Sequence, residues 1–203
     1  MNRRKSSAGV NSSAVLPSNN SRLGLWNSVY AGGVNRAMYD DITTARVAGA
    51  YLSRDCILTV EDWGCGLGGF KEYIGAWQDY IGIDGSRSPY ADCIADLEKY
   101  TSNSDSVHMR HVLEHNPQWE QILYNALCSF RKRMVLTLFT PFNESTQIIA
   151  RYKNFCGTGV EMIDLGFSRD DIVNQFDDLH WFSIENIRTD TQYGIEHMFF
   201  IEK

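Results

Sequence analysis

Between Thr59 and Phe70 the chain reads Thr-Val-Glu-Asp-Trp-Gly-Cys-Gly-Leu-Gly-Gly-Phe, and this stretch restricts the fold more than any other. Ile57, Leu58 and Val60 are the apolar residues of a short buried strand, and glycines follow at 64, 66, 68 and 69. Glycine takes positive φ without a Cβ penalty, so such a run lets the backbone turn sharply and approach a ligand closely. Lys71-Glu-Tyr-Ile74 opens a helix after the turn. Tyr80-Ile-Gly-Ile-Asp84 reads as a second apolar strand ending in a carboxylate, 84 − 64 = 20 residues beyond the first glycine. An acid at the end of the second strand is placed to hold the two hydroxyls of a ribose.

Two nucleoside loops fit. Gly64-x-Gly66-x-x-Gly69 matches the dinucleotide fingerprint, and Gly64-x-Gly66-x-Gly68 matches the loop of S-adenosylmethionine (SAM) enzymes. Asp62, two residues before Gly64, is expected at the mouth of the site. A pyrophosphate needs N–H groups of a helix terminus and no fixed anion there. SAM carries an ammonium and a sulfonium and no phosphate, so a carboxylate at that place favours it.

In Asp62-Trp-Gly-Cys-Gly-Leu-Gly68, Ile83-Asp84, Ala95-Asp96-Leu97 and His111-Val-Leu-Glu-His115 the chain resembles the class I SAM-dependent methyltransferases, over roughly residues 55–203. The resemblance implies an α/β fold, a Rossmann-like doubly wound sheet of about seven strands, mostly parallel with an antiparallel C-terminal hairpin strand. It implies an enzyme with SAM as cofactor, held by Asp62, Gly64, Cys65, Gly66, Gly68, Asp84, Gly85, Asp96, Leu97 and Arg110. In the family an acid at the place of Asp96 accepts a hydrogen bond from the adenine amino group; a helix-capping aspartate is the other reading of that residue. N-terminal helices of the family often cover the cofactor, which makes Trp26, Tyr30 and Tyr39 wall residues of a substrate pocket, with His115 and Phe142; plain aromatic packing on the sheet is the alternative.

The rest of the chain agrees with this plan. Asp40-Asp41 can cap a helix through Ile42, Ala45, Ala48 and Leu52. Ile94–Leu97, Ser106–Met109, Met134–Phe139, His180–Arg188 and Gly194–Ile201 read as strands, the last two as a hairpin. Asn116-Pro117 starts a helix through Trp119, Ile122, Leu123, Leu127 and Phe130, with Arg131-Lys-Arg133 in its last turn. Residues 145–166, interrupted by glycines, read as an irregular substrate-covering insertion. Ser168-Arg-Asp-Asp171 is a helix start. Residues 1–20, rich in Ser and Asn after Arg3-Arg4-Lys5, are expected as a mobile solvated tail before a domain at 21–203.

Composition narrows the partners. Of 203 residues, 43% are hydrophobic and 22% charged, ordinary for one soluble domain. A net charge of −6 argues against broad nucleic-acid binding. The five cysteines form no CxxC pair, so reduced thiols in a cytoplasm are the simplest account. No apolar run reaches membrane-spanning length. The oligomeric state stays open.

Methyl transfer to an oxygen needs a proton removed, and imidazole is the natural base at neutral pH. His111 stands where the methyl acceptor is expected. On a helix starting near 110, His111, Glu114 and His115 would share one face. Three readings stay open for them: a structural anchor, a base at His111, or a metal site, for which a recognisable distal ligand is missing. The expected activity is SAM-dependent methylation of a small molecule at a hydroxyl or carboxyl oxygen, with no metal assigned. An NAD-dependent oxidoreductase, a metal-dependent RNA 2′-O-methyltransferase and a non-catalytic SAM-binding module are the alternatives.

Overall fold

The computed structural model describes residues 26–31, 42–54, 56–154, 157, 161–177 and 179–203. Tyr39 and the Asp40-Asp41 cap lie outside them, as do residues 1–25. The apolar runs become strands β1 (Thr59–Trp63), β2 (Asp79–Asp84), β3 (Cys93–Ile94), β4 (Ser104–Arg110), β5 (Phe130–Leu138), β6 (Gln147–Tyr152), β7 (Met162–Gly166), β8 (Trp181–Arg188) and β9 (Ile195–Glu202). Helices are α1 (Asn27–Ala31), α2 (Ile42–Leu52), α3 (Trp119–Ser129) and α4 (Arg169–Val173). None of the helices is long and apolar enough to cross a membrane, among the described residues.

The main sheet has seven strands in the order β3-β2-β1-β4-β5-β9-β8. β1 pairs in parallel with both β2 and β4, and β4 with β5, so these strands end together at one edge. Strand order reverses beside β1, and in open α/β sheets ligands bind outside the carboxyl ends at such a reversal. β9 is antiparallel to both β5 and β8. An antiparallel strand brings its start to the edge where its neighbours finish, which delivers Ile195 and Glu196 there.

Two apolar layers hold the sheet. Ala45, Ala48 and Leu52 of α2 pack on Val60, Val135, Met198 and Phe200. On the other face Trp119, Leu123 and Ala126 of α3 and Ile172 of α4 pack against Trp63, Met109, Met134 and Phe199. Alternation along β9 thus sends Met198 and Phe200 to one layer and Phe199 and Ile201 to the other.

Three local expectations are corrected. The helix after the glycine turn is a 3-10 segment, Gly69–Tyr73. Strand β2 begins at Asp79, and Gln78 fills the return: its Nε2 donates to Leu52 O (2.8 Å) and Ile57 O (3.1 Å), and Gly75 N donates to its Oε1 (2.8 Å). That leaves no length for an α-helix. Arg131-Lys-Arg133 belongs to β5, because Phe130 turns extended as soon as α3 ends. Its charges meet carboxylates, Arg131 and Lys132 at Asp105 (2.7 and 3.2 Å) and Arg133 at Glu202 (2.9 Å). Residues 145–166 contain the antiparallel ribbon β6–β7. The N-cap at 168 is present, Ser168 Oγ accepting from Asp171 N at 3.4 Å.

Candidate functional site

The loops after β1, β2, β4 and β5 converge with the start of β9. Gly64 N and Cys65 N both donate to Ile83 O (2.7 and 3.0 Å), fastening the glycine loop to β2. Gly64 has φ +75°, and a Cβ there would lie 2.3 Å from Val112 Cγ2, so only glycine lets the loop rest on the segment after β4. At Gly66 (φ +53°) a Cβ would meet nothing nearer than Tyr30 Oη at 3.7 Å, so the backbone here is open to a ligand.

Asp84 lies under that opening, buried at 6% exposure. Its Oδ2 accepts from Gly66 N (3.0 Å) and Tyr30 Oη (3.2 Å), and its Oδ1 from Ser86 N (2.7 Å). Burial raises its pKa, and the Ser86, Gly66 and Tyr30 donors oppose that. α1 lies across the loop: Trp26 N donates to Ser86 Oγ (3.3 Å), and Arg87 N to Asn27 Oδ1 (2.6 Å). An open glycine backbone beside a buried, hydrogen-bonded carboxylate fits a nucleoside ribose.

A second group of residues gathers at the end of β4. His111 has φ +57°, which turns the chain out of the strand. Glu196, wholly buried, accepts from Arg110 Nη2 (2.8 Å) and is paired with His111 Nε2. Burial and then the Arg110 guanidinium lower the His111 pKa to about 4, against the pull of Glu196. Burial would raise Glu196, but His111 and Arg110 hold it at about 2. At neutral pH the imidazole is neutral and the carboxylate charged. The proton between them then sits on Nε2, and Nδ1 keeps the lone pair.

His115 faces another way. Its Nδ1 donates to Ile163 O (3.0 Å) and lies 3.3 Å from Asp164 Oδ1. Burial lowers its pKa, but Asp164, the Ile163 carbonyl and Glu114 raise it more, for a net rise. Asp164 Oδ2 also accepts from Tyr152 Oη (2.9 Å) and Tyr193 Oη (3.0 Å). Glu114 points into the core, its Oε1 accepting from Phe139 N (2.6 Å). Its Oε2 has no hydrogen-bond partner among the described residues, and burial raises its pKa to about 7.

No protein-family model matches the chain, and no curated protein matches its sequence. Solved structures do match. The 1,6-didemethyltoxoflavin-N1-methyltransferase of Burkholderia thailandensis, solved with 1,6-didemethyltoxoflavin and S-adenosylhomocysteine, superposes at TM-score 0.65 with 14% identity over 89% of this chain and 85% of that one. The magnesium protoporphyrin IX methyltransferase of Synechocystis, with SAM bound, gives 0.59 with 20% identity over 88% and 89%. The plantazolicin methyltransferase, with a desmethyl analogue and S-adenosylhomocysteine, gives 0.56 with 10% identity over 89% and 91%. The fold is that of the class I methyltransferases.

Within the class I methyltransferase frame, Gly64, Gly66, Asp84, Arg110, His111, His115, Trp26 and Tyr30 gather at the carboxyl edge, with Gly85 following Asp84. Trp26 stacks on Tyr30 (centroids 6.5 Å apart) and reaches His115 (5.8 Å). One residue is placed differently from the sequence expectation. Asp62 is not at the mouth but beneath the loop, 3% exposed, its Oδ1 2.7 Å from His108 Nδ1 and its Oδ2 accepting from Tyr80 Oη at 2.7 Å. Cys65 is buried, and burial and then Asp62 raise its thiol pKa. Gly68 (φ +68°) packs on Tyr90, whose Cβ would be 2.8 Å from an added Cβ. Asp96 caps its own turn, accepting from Glu98 N (3.1 Å) and Lys99 Nζ (2.8 Å), while Leu97 lies in the core. Phe142 stacks on His197 (3.9 Å), whose neighbour Glu196 faces the other side of β9.

His111, Glu114 and His115 do not share a face. The helix expected near 110 is a single 3-10 turn, Leu113–His115, and the positive φ of His111 directs the three side chains to three different partners. Glu196, Phe139, Asp164 and Tyr193 lie against these candidates, and sequence reading misses them. The one signal for Glu196 is an acid within an apolar run, Ile195-Glu-His-Met-Phe-Phe-Ile201, where an uncompensated buried charge would be prohibitive.

Proposed function

We propose that the chain is a SAM-dependent methyltransferase acting on a small-molecule acceptor at an oxygen. The observation that carries this reading is the buried Asp84 carboxylate beneath the open Gly66 backbone, with the His111–Glu196 pair nearby at the same sheet edge. Asp84 would hold the ribose hydroxyls, and the Gly64–Gly68 loop would lie along the nucleoside. SAM supplies, when bound, an electrophilic methyl group on a sulfonium.

The chain's own residues do the remainder. Trp26 and Tyr30 cover the loop and exclude water. Glu196 holds His111 in the tautomer that leaves Nδ1 free to take a proton, and Arg110 keeps Glu196 ionised. A base oriented by a carboxylate through its other nitrogen is the arrangement that removes a proton from a hydroxyl. The small-molecule methyltransferases of like fold support the acceptor class, as does the acidic charge of the chain. The scattered cysteines, with no CxxC pair, support a cytoplasmic setting.

Thermal melting with SAM, S-adenosylhomocysteine and NAD tests the cofactor. The expected result is a rise in Tm with the first two alone, since a ligand bound only by the folded state stabilises it. A rise with NAD alone would replace the reading with an oxidoreductase.

A further inference from the structure

Resting on the methyltransferase reading, we infer that the acceptor is a planar aromatic ring carrying an acidic, phenol-type or enol-type hydroxyl. Rings run in succession from the proposed cofactor carboxylate to the proposed base. Tyr30, bonded to Asp84, stacks with Trp26 at 6.5 Å, and Trp26 meets His115 at 5.8 Å. Phe139 lies 5.6 Å from His115, 4.7 Å from His111 and 5.8 Å from Tyr193. Trp26, Tyr30, His111, His115 and Tyr193 are only half-buried, so the series is not closed core packing.

The neighbouring carboxylates each have one oxygen engaged, Oε1 of Glu196 and Oδ2 of Asp164, and the other oxygen of each is buried away from a ligand. Glu196 is held by Arg110 and His111, and Asp164 by Tyr152, Tyr193 and His115. An aliphatic polyol would need acceptors and donors in number, and would leave some of its hydroxyls unpaired on this wall. A flat conjugated ring needs π faces, and this wall is a series of rings, one pair stacked and the others tilted, most of them only partly covered.

The second element is the acidity of the hydroxyl. His111 carries a lone pair on Nδ1, but its half-buried place beside the Arg110 guanidinium disfavours the imidazolium. A weak base is matched to an acidic proton: a phenol titrates at about 10, whereas an aliphatic hydroxyl lies close to water, at about 15.7. The acceptor O–H bond breaks and its proton goes to Nδ1 of His111. The oxygen forms a bond to the methyl carbon as the methyl–sulfur bond breaks, its electron pair staying on sulfur, which leaves as a neutral thioether.

The test uses the full chain, methyl-labelled SAM and a matched pair of acceptors, naphthol and its saturated counterpart decalol. Naphthol should be methylated with a kcat/KM roughly tenfold or more above decalol. Trp26→Ala should raise the KM for naphthol, measured at saturating SAM, and Trp26→Phe should restore it. Equal turnover of decalol, or SAM binding with neither binding nor turnover of naphthol, overturns the inference. Calorimetry with SAM, run on the same preparation, separates this from failure of the underlying reading, because absence of SAM binding would sink that reading instead.

Discussion

His111 and Glu196 are paired, so each should be sensitive to loss of the other. His111→Ala is expected to keep SAM affinity and lose roughly 10²–10⁴-fold in turnover, measured with saturating acceptor. In nitrogen-resolved NMR the His111 ring should show its proton on Nε2 and titrate near pH 4, because burial and Arg110 disfavour the cation. This pKa is depressed below the ordinary imidazole value, so its contribution to stability is full above about 6.5 and is lost as pH falls through about 4. Glu114 has the opposite sign. Its pKa is raised from 4.5 to about 7, so its stability contribution is full below 4.5 and is lost as pH rises through about 7. Glu114→Gln keeps an oxygen for Phe139 N and removes the charge. Relative to wild type, the variant should gain on the order of 3 kcal/mol between pH 4 and pH 8 in denaturant melts. A pH-independent difference would show that the pKa of Glu114 in the fold is not raised above its unfolded value.

At the scale of elements, the glycine loop makes two separable predictions. Gly64→Ala must place a methyl 2.3 Å from Val112 Cγ2 at φ +75°, so it should destabilise the fold by about 1–3 kcal/mol. Gly66→Val meets no such wall, and its folding cost is confined to a β-branched residue at φ +53°. It should fold and fail to bind SAM, because the branched side chain fills the space above the loop. Normal affinity in that variant would mean that the loop does not cradle the nucleoside. The strands were legible because their signal is local: continuous or alternating apolar residues, closed by glycine or a carboxylate. The elements that local sequence does not reveal depend on distant partners. Gly69–Tyr73 is short because Gln78 ties the return to Leu52 and Ile57. The basic trio lies in a strand because Asp105 and Glu202, far along the chain, receive its charges.

At the scale of the molecule, the sheet order decides which residues meet. Gly64, Asp84 and His111 are brought together by parallel pairing of β1, β2 and β4, an arrangement that the spacing of motifs announces. Glu196 joins them only because β9 runs antiparallel, and no local pattern in residues 195–202 states which residue it will face. Asp62 was misplaced for a related reason: its partners His108 and Tyr80 come from the two strands flanking β1. The proposed methyltransferase activity requires that this edge bind SAM through Asp84. Calorimetric titration of SAM into the wild type and Asp84→Asn tests it most directly, with circular dichroism confirming that the variant is folded. One saturable site is expected in the wild type and an affinity about ten- to a hundred-fold weaker in the variant, from charge-assisted hydrogen bonds worth roughly 1.5–3 kcal/mol. Unchanged affinity in Asp84→Asn, or no binding to the wild type, would contradict it.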